Sequence, residues 1–152
     1  MTAVRTVRAE QIFAASLSDA QAHWYDTGRW AQWVDGLEEV LAVEGGWPGV
    51  GATVRWRSGP AGRGSVTEHV IGHDPLHGQT VEVTDDAIRG RQSVAFTPTM
   101  TGVHVELTLA YEIVRRSVLT PVIDVLFIRR AMTSSLEQTL ERFGAGLEPV
   151  QP

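Results

Sequence analysis

Residues 103–113, VHVELTLAYEI, alternate apolar and polar side chains, with Ala110 the one exception. Val103, Val105, Leu107, Leu109, Tyr111 and Ile113 share one face of an extended chain, and His104, Glu106, Thr108 and Glu112 share the other. Such a strand needs a cover for its apolar face, and the chain that follows offers one. Thr120 and Pro121 make a helix start, with Thr as N-cap and Pro at the first helical position, and Asp124 suits the dipole of the first turn. Beyond them Val122, Leu126, Met132, Leu136, Leu140, Phe143 and Leu147 recur mostly at spacings of three and four. Gly144 and Gly146 loosen the helix, and Pro149 stops it. About 25 residues rising 1.5 Å each give a helix of roughly 38 Å, longer than one sheet face needs. A curved sheet that grips the helix accommodates it.

Upstream, VRTVRAEQIFA (4–14) reads as an opening strand. SLSDAQAHWYD follows, with Ser18 as N-cap of a short helix ending near Asp26. Thr27-Gly28 is a break, RWAQWV is a second short helix, and Asp35-Gly36 ends it. EEVLAVEGG, ATVRWRS, SVTEHVIGHD, QTVEVTDD and RQSVAFTP then read as strands of an antiparallel meander, separated by turns rich in Gly and Pro. The meander ends in the alternating strand. Residues 1–152 are expected to form a single domain, with no internal repeat or linker.

Charge and composition narrow the function. The formal net charge is −5, all 13 basic residues are Arg, and these are scattered as singles and pairs. A nucleic-acid partner would require a basic face, so none is expected. The chain has no Cys, which removes disulfides and thiolate metal sites and suits a reducing compartment. The N-terminus lacks the apolar run of a signal peptide, and the apolar run Val125–Ile128 is too short to span a bilayer. The expectation is a cytoplasmic protein, monomeric or homodimeric, without stable membrane insertion.

The order of elements, carried by TVRAEQIFAAS, RWAQWVDGLEEV, GGWPGVGATVRWRS, VTEHVIGHDP and the long terminal helix, resembles the START/Bet v 1-like helix-grip superfamily (SRPBCC). This is the polyketide cyclase/dehydrase and lipid-transport group. The resemblance covers nearly the whole chain. It implies an α+β fold with a curved seven-stranded antiparallel sheet around the C-terminal helix, two short helices after the first strand, and an apolar cavity between sheet and helix. Relatives bind lipids, sterols, plant hormones and aromatic polyketides, and a minority are enzymes. GGWPGVG (45–51) stands where such proteins carry a glycine loop; it lacks the GK[ST] ending of a phosphate loop and does not enter a helix.

Candidate chemistry follows from alternation inside that cavity. His69, His73 and His77 are spaced four apart, but Gly72 and Pro75 interrupt the stretch, so on a strand and turn the imidazoles diverge and no metal is expected. No nucleophile elbow surrounds Ser65 and no dinucleotide fingerprint occurs, so no cofactor is expected. General acid–base groups remain. If Val66 and Val70 face inward, so does Glu68; a one-residue slip exchanges it for His69. A carboxylate held there would be desolvated and its pKa raised. Tyr111, on the inward face of the last strand, could donate to a carbonyl. The catalytic candidates are therefore Glu68, His69 and Tyr111, each with a plain structural alternative. Trp30 and Trp33, one helical turn apart, either seal the core or close the cavity. The expected lining is Trp33, Trp56, Glu68, Phe96, Leu107, Tyr111, Phe127 and Met132. The leading expectation is binding or carriage of a small hydrophobic ligand, lipid-like or polyketide-like. Polyketide aromatase/cyclase or dehydratase chemistry in the same cavity is the alternative, and a cavity-free interaction module a third.

Overall fold

A computed structural model describes residues 4–59, 64–114 and 121–147, apart from the side chains of 121–127. Strand β1 (Arg5–Phe13) leads into helix α1 (Leu17–Tyr25), a 3-10 turn over Thr27–Arg29, and the one-turn helix α2 (Trp30–Trp33). Six strands follow: β2 (Leu37–Glu44), β3 (Thr53–Ser58), β4 (Ser65–Asp74), β5 (Gly78–Thr84), β6 (Ile88–Pro98) and β7 (Val103–Ile113). The long helix α3 (Pro121–Ala145) completes the order. All neighbours in the sheet are antiparallel, in the order β1-β7-β6-β5-β4-β3-β2.

The alternation seen in the sequence becomes two faces. On β7 each of Val103, Val105, Leu107, Leu109, Tyr111 and Ile113 is buried, and each residue between them is half-buried. The same period buries Val54 and Trp56 on β3, Val66, Glu68 and Val70 on β4, and Gln79, Val81 and Val83 on β5. Leu136, Leu140 and Phe143 of α3 join this core. Hydrophobic burial is the term that holds helix to sheet. β1 closes the structure by pairing with β7 from Arg5↔Tyr111 to Phe13↔Val103. The edge strand β2 is irregular, with register shifts between Leu37/Glu39 and Val40/Ala42.

Some local details differ from expectation. The N-cap of α1 is Ser16, whose Oγ accepts from Asp19 N at 3.0 Å; Ser18 lies inside the first turn. The predicted N-cap Thr120 is outside the described residues. The glycine loop does use positive φ: Gly45 stands at +83°, where a Cβ would meet Gly51 O at 2.9 Å. The loop is tied inward by Trp47 Nε1, which donates to Tyr25 O at 2.9 Å.

Gly144 does not loosen α3, which runs through it to Ala145. Its missing side chain instead lets the helix press on β1, because a Cβ there would lie 2.4 Å from Phe13 Cε1. That ring is held edge-on to Phe143 at 5.4 Å and cannot easily give way. Ala is favoured over Gly in a helix by about 1 kcal/mol, whereas overpacking costs roughly 1–3 kcal/mol. The crowding wins: Gly144→Ala should lower stability by about 1 kcal/mol net, read as a Tm drop of about 3 °C.

Candidate functional site

Between the concave sheet face, α2 and α3 lies a narrow cavity. Its floor is built by the inward residues of the sheet: Trp56, Glu68, Val81, Val83, Val94 and Leu107. Gln79 and Gln92 add two amides to that floor. Trp24, Trp30, Trp33, Val34 and Asp35 wall it on one side, and Ser135, Leu136 and Thr139 of α3 on another. About 640 Å³ of atom-free space lies in it, open solvent at its mouth included, but only about 50 Å³ admits the centre of a water molecule. The described state thus has room for a few waters and is narrower than the 300–1,000 Å³ typical of small-molecule pockets.

Glu68 sits on β4 opposite Val54 of β3 and Val83 of β5. It is 9 % exposed and its Oε2 accepts from Trp56 Nε1 at 2.7 Å. Gln79 Nε2 donates to Pro48 O at 3.0 Å, fixing the glycine loop to the cavity floor. Asp35 N donates to Thr139 Oγ1 at 3.0 Å, and Asp35 Oδ1 receives Arg142 Nη1 at 3.1 Å. This pair joins the α2–β2 turn to α3.

The wall at the α1–α2 end is aromatic. Trp33 lies 4.8 Å from Trp24, 5.1 Å from Phe143 and 6.3 Å from Trp30, ring centre to ring centre. Trp30 Nε1 donates to Trp24 O at 2.8 Å. Trp33 Nε1 is as deeply shielded yet has no acceptor among the described residues. Tyr25 Oη and Tyr111 Oη are likewise buried without a partner among them. Burial alone pushes the Tyr25 hydroxyl up to about 12. Burial also raises Tyr111, against the opposing pull of Arg129 and Arg5.

The eight expected lining residues divide. Trp33, Trp56, Glu68 and Leu107 meet in the cavity. Phe96 faces inward but is packed into the aromatic cluster, 6.2 Å from Trp24 and 6.3 Å from Tyr25. Tyr111 is fully buried farther along β7, opposite Arg5, and does not border the cavity. Met132 is half-buried against the core without lining it, and the side chain of Phe127 is outside the described residues. Of Glu68 and His69, the register turns His69 to the exposed face, where Nδ1 pairs with Thr53 Oγ1 at 3.0 Å. The histidines diverge, with His73 edge-on to Tyr25 and His77 bonded to Asp74. Sequence reasoning passed over Gln79, Gln92, Asp35 and Thr139. Glu10, His104 and Glu106 cluster closely enough to consider for a metal, but on the outer face, where Arg8 already bridges both carboxylates at 3.6 and 3.7 Å.

A curved antiparallel sheet holding a C-terminal helix over an inward-lined cavity defines the helix-grip class. Residues 4–148 match the sequence model of one of its families, and the chain belongs to that family: polyketide cyclase / dehydrase and lipid transport. Among solved structures, TTHA0849 from Thermus thermophilus superposes with a TM-score of 0.75 at 20% identity, covering 93% of this chain and 95% of that one. The di-domain ARO/CYC StfQ of the steffimycin biosynthetic pathway gives 0.76 at 16% identity, covering 93% of this chain and half of that one (50%). Norcoclaurine synthase from Thalictrum flavum, in complex with dopamine and hydroxybenzaldehyde, gives 0.68 at 15% identity, covering 95% and 86%. At these identities the likeness is one of fold. No curated protein matches the chain. No helix among the described residues is long and apolar enough to cross a membrane.

His23, stacked on Phe143 at 4.8 Å, closes the aromatic wall from outside. Burial, then Arg29, lowers its pKa from 6.5, while the Phe143 carbonyl and Asp26 pull the other way. The folded state therefore binds its proton less readily than the unfolded chain. Stability should fall as pH drops from about 6.5 towards the lowered value, and level off below it. Thermal unfolding at pH 7.5 and 5.5 tests this: the wild type should lose more Tm than His23→Phe, which keeps the stack and removes the titration.

Proposed function

We propose that this protein binds a small hydrophobic molecule, lipid-like or polyketide-like, in the cavity beneath α3. One observation carries the reading: a buried carboxylate, Glu68, oriented by the Trp56 N–H inside an otherwise largely apolar enclosure. A core built only for stability gains nothing from a carboxylate at that depth, since burying charge is costly. A site that must orient a polar atom of a hydrophobic guest does need one.

The described cavity is contracted, so the guest enters by parting the α2–β2 turn from α3, which the Asp35–Arg142 and Asp35–Thr139 contacts hold together. Burying about 300 Å² of apolar ligand surface is worth roughly 7 kcal/mol. Association takes back several of these, which leaves affinity near the micromolar range. Glu68, Gln79 and Gln92 supply the polar contacts that sharpen it.

The same carboxylate favours a second reading, an aromatase/cyclase or dehydratase in which Glu68 moves protons for a poly-β-ketone. Binding is preferred because the other catalytic candidates do not join Glu68: His69 is outside and Tyr111 lies away from the cavity. Asp35, the remaining titratable group of the wall, is engaged with Arg142.

Titration with 1-aminoanthracene, an uncharged probe that fluoresces in apolar surroundings, tests the reading. One saturable site is expected, and Val83→Phe, which fills the cavity floor, should weaken it at least about tenfold. No saturable binding would overturn the proposal. Glu68→Gln separates the two roles. A binding site should change affinity by about tenfold or less, whereas an acid–base catalyst should lose about 10²–10⁴ in turnover of a poly-β-ketone substrate.

A further inference from the structure

Three of the cavity's indole rings can be compared directly. Trp30 donates its N–H to a backbone carbonyl and Trp56 donates to Glu68. Trp33, 2 % exposed, has a shielded N–H with no acceptor among the described residues. Its ring cannot turn away to find one. Trp24, Phe143 and His23 pack around it at 4.8, 5.1 and 5.7 Å. The next turn of chain is fastened to α3 through Asp35. The space that the ring borders is the cavity itself.

We propose that the Trp33 N–H is the specificity-determining donor of this cavity, and that its ligands are hydrophobic molecules carrying a carbonyl-type oxygen at the end that reaches α2. The inference rests on the reading that the cavity holds a guest. Its physical core is what happens when the guest arrives. Before that, the N–H is shielded and has no partner among the described residues. A guest with an oxygen acceptor at that end supplies the missing bond, whereas a pure hydrocarbon leaves the buried N–H orphaned, a difference equivalent to about tenfold in affinity. Plain alkyl and aryl hydrocarbons are thereby selected against, whatever their fit.

The probes are 2-acetylnaphthalene and 2-isopropenylnaphthalene, nearly identical in shape and differing in C=O against C=CH2. Their affinities are measured on the wild type and on Trp33→Phe, which keeps an aromatic ring without the N–H. The preference for the ketone should be about tenfold greater in the wild type than in the variant. In wild-type protein labelled with ¹⁵N, the Trp33 indole resonance, assigned by its loss from Trp33→Phe, should move downfield with the ketone and not with the alkene. Should the variant fail to fold, selective ¹⁵N-indole labelling with assignment by through-space contacts to Phe143 decides on the wild type alone. Equal preference in the two proteins, or a ketone that binds without moving that resonance, overturns the inference and leaves the cavity reading standing. If neither naphthalene binds, the cavity reading falls, and the inference with it.

Discussion

Phe143 is where three separate stretches of the chain are held together. From its place on α3 it meets Phe13 at the end of β1, His23 and Trp24 on α1, and Trp33 on α2, all within 5.4 Å between ring centres. The sheet alone cannot position α1 and α2, because the strands they follow and precede, β1 and β2, lie at opposite ends of it. The packing around one ring supplies that constraint. It fixes the aromatic wall, and through Trp33 and Asp35 it fixes one side of the cavity. Edge-on aromatic pairs contribute beyond their buried area, so the cluster is both a structural joint and the boundary of the candidate site.

Much of this was legible in the sequence because it is periodic. The alternation of 103–113 set β7 and its buried face, and the spacing from Val122 to Leu147 set the gripping helix. Val66 and Val70 flank Glu68 on the same face, so the alternation that admitted Glu68 also sends His69 outward once the register is known. The same extension would have found Gln79 beside Val81 and Gln92 beside Val94. Of the polar side chains on these apolar faces only Glu68 was taken as a candidate, although such residues are the ones a site requires.

Other features leave no periodic trace. Phe96, Tyr111 and Met132 all turn towards the interior, but alternation gives the face of a strand and not the depth along it at which a cavity opens. The contact between Asp35 and Thr139 joins residues 104 apart in the chain, and no local pattern announces it. Gly144 carried the opposite lesson: read locally it weakens a helix, while in three dimensions it is the point of closest approach to Phe13. Close packing between distant segments decided that position, not propensity.

The aromatic wall also gives the molecule an optical signature. Trp24, Trp33, Trp30 and Trp47 form an unbroken chain of neighbouring indoles, with successive centres 4.8, 6.3 and 5.4 Å apart. Rings so close exchange excitation and couple their transitions, so the near-ultraviolet dichroism of this protein is dominated by one end of the fold. Any event that slackens the helical end would dim that signal while the far-ultraviolet spectrum of the sheet stays unchanged, since side-chain order and backbone order are read in different bands.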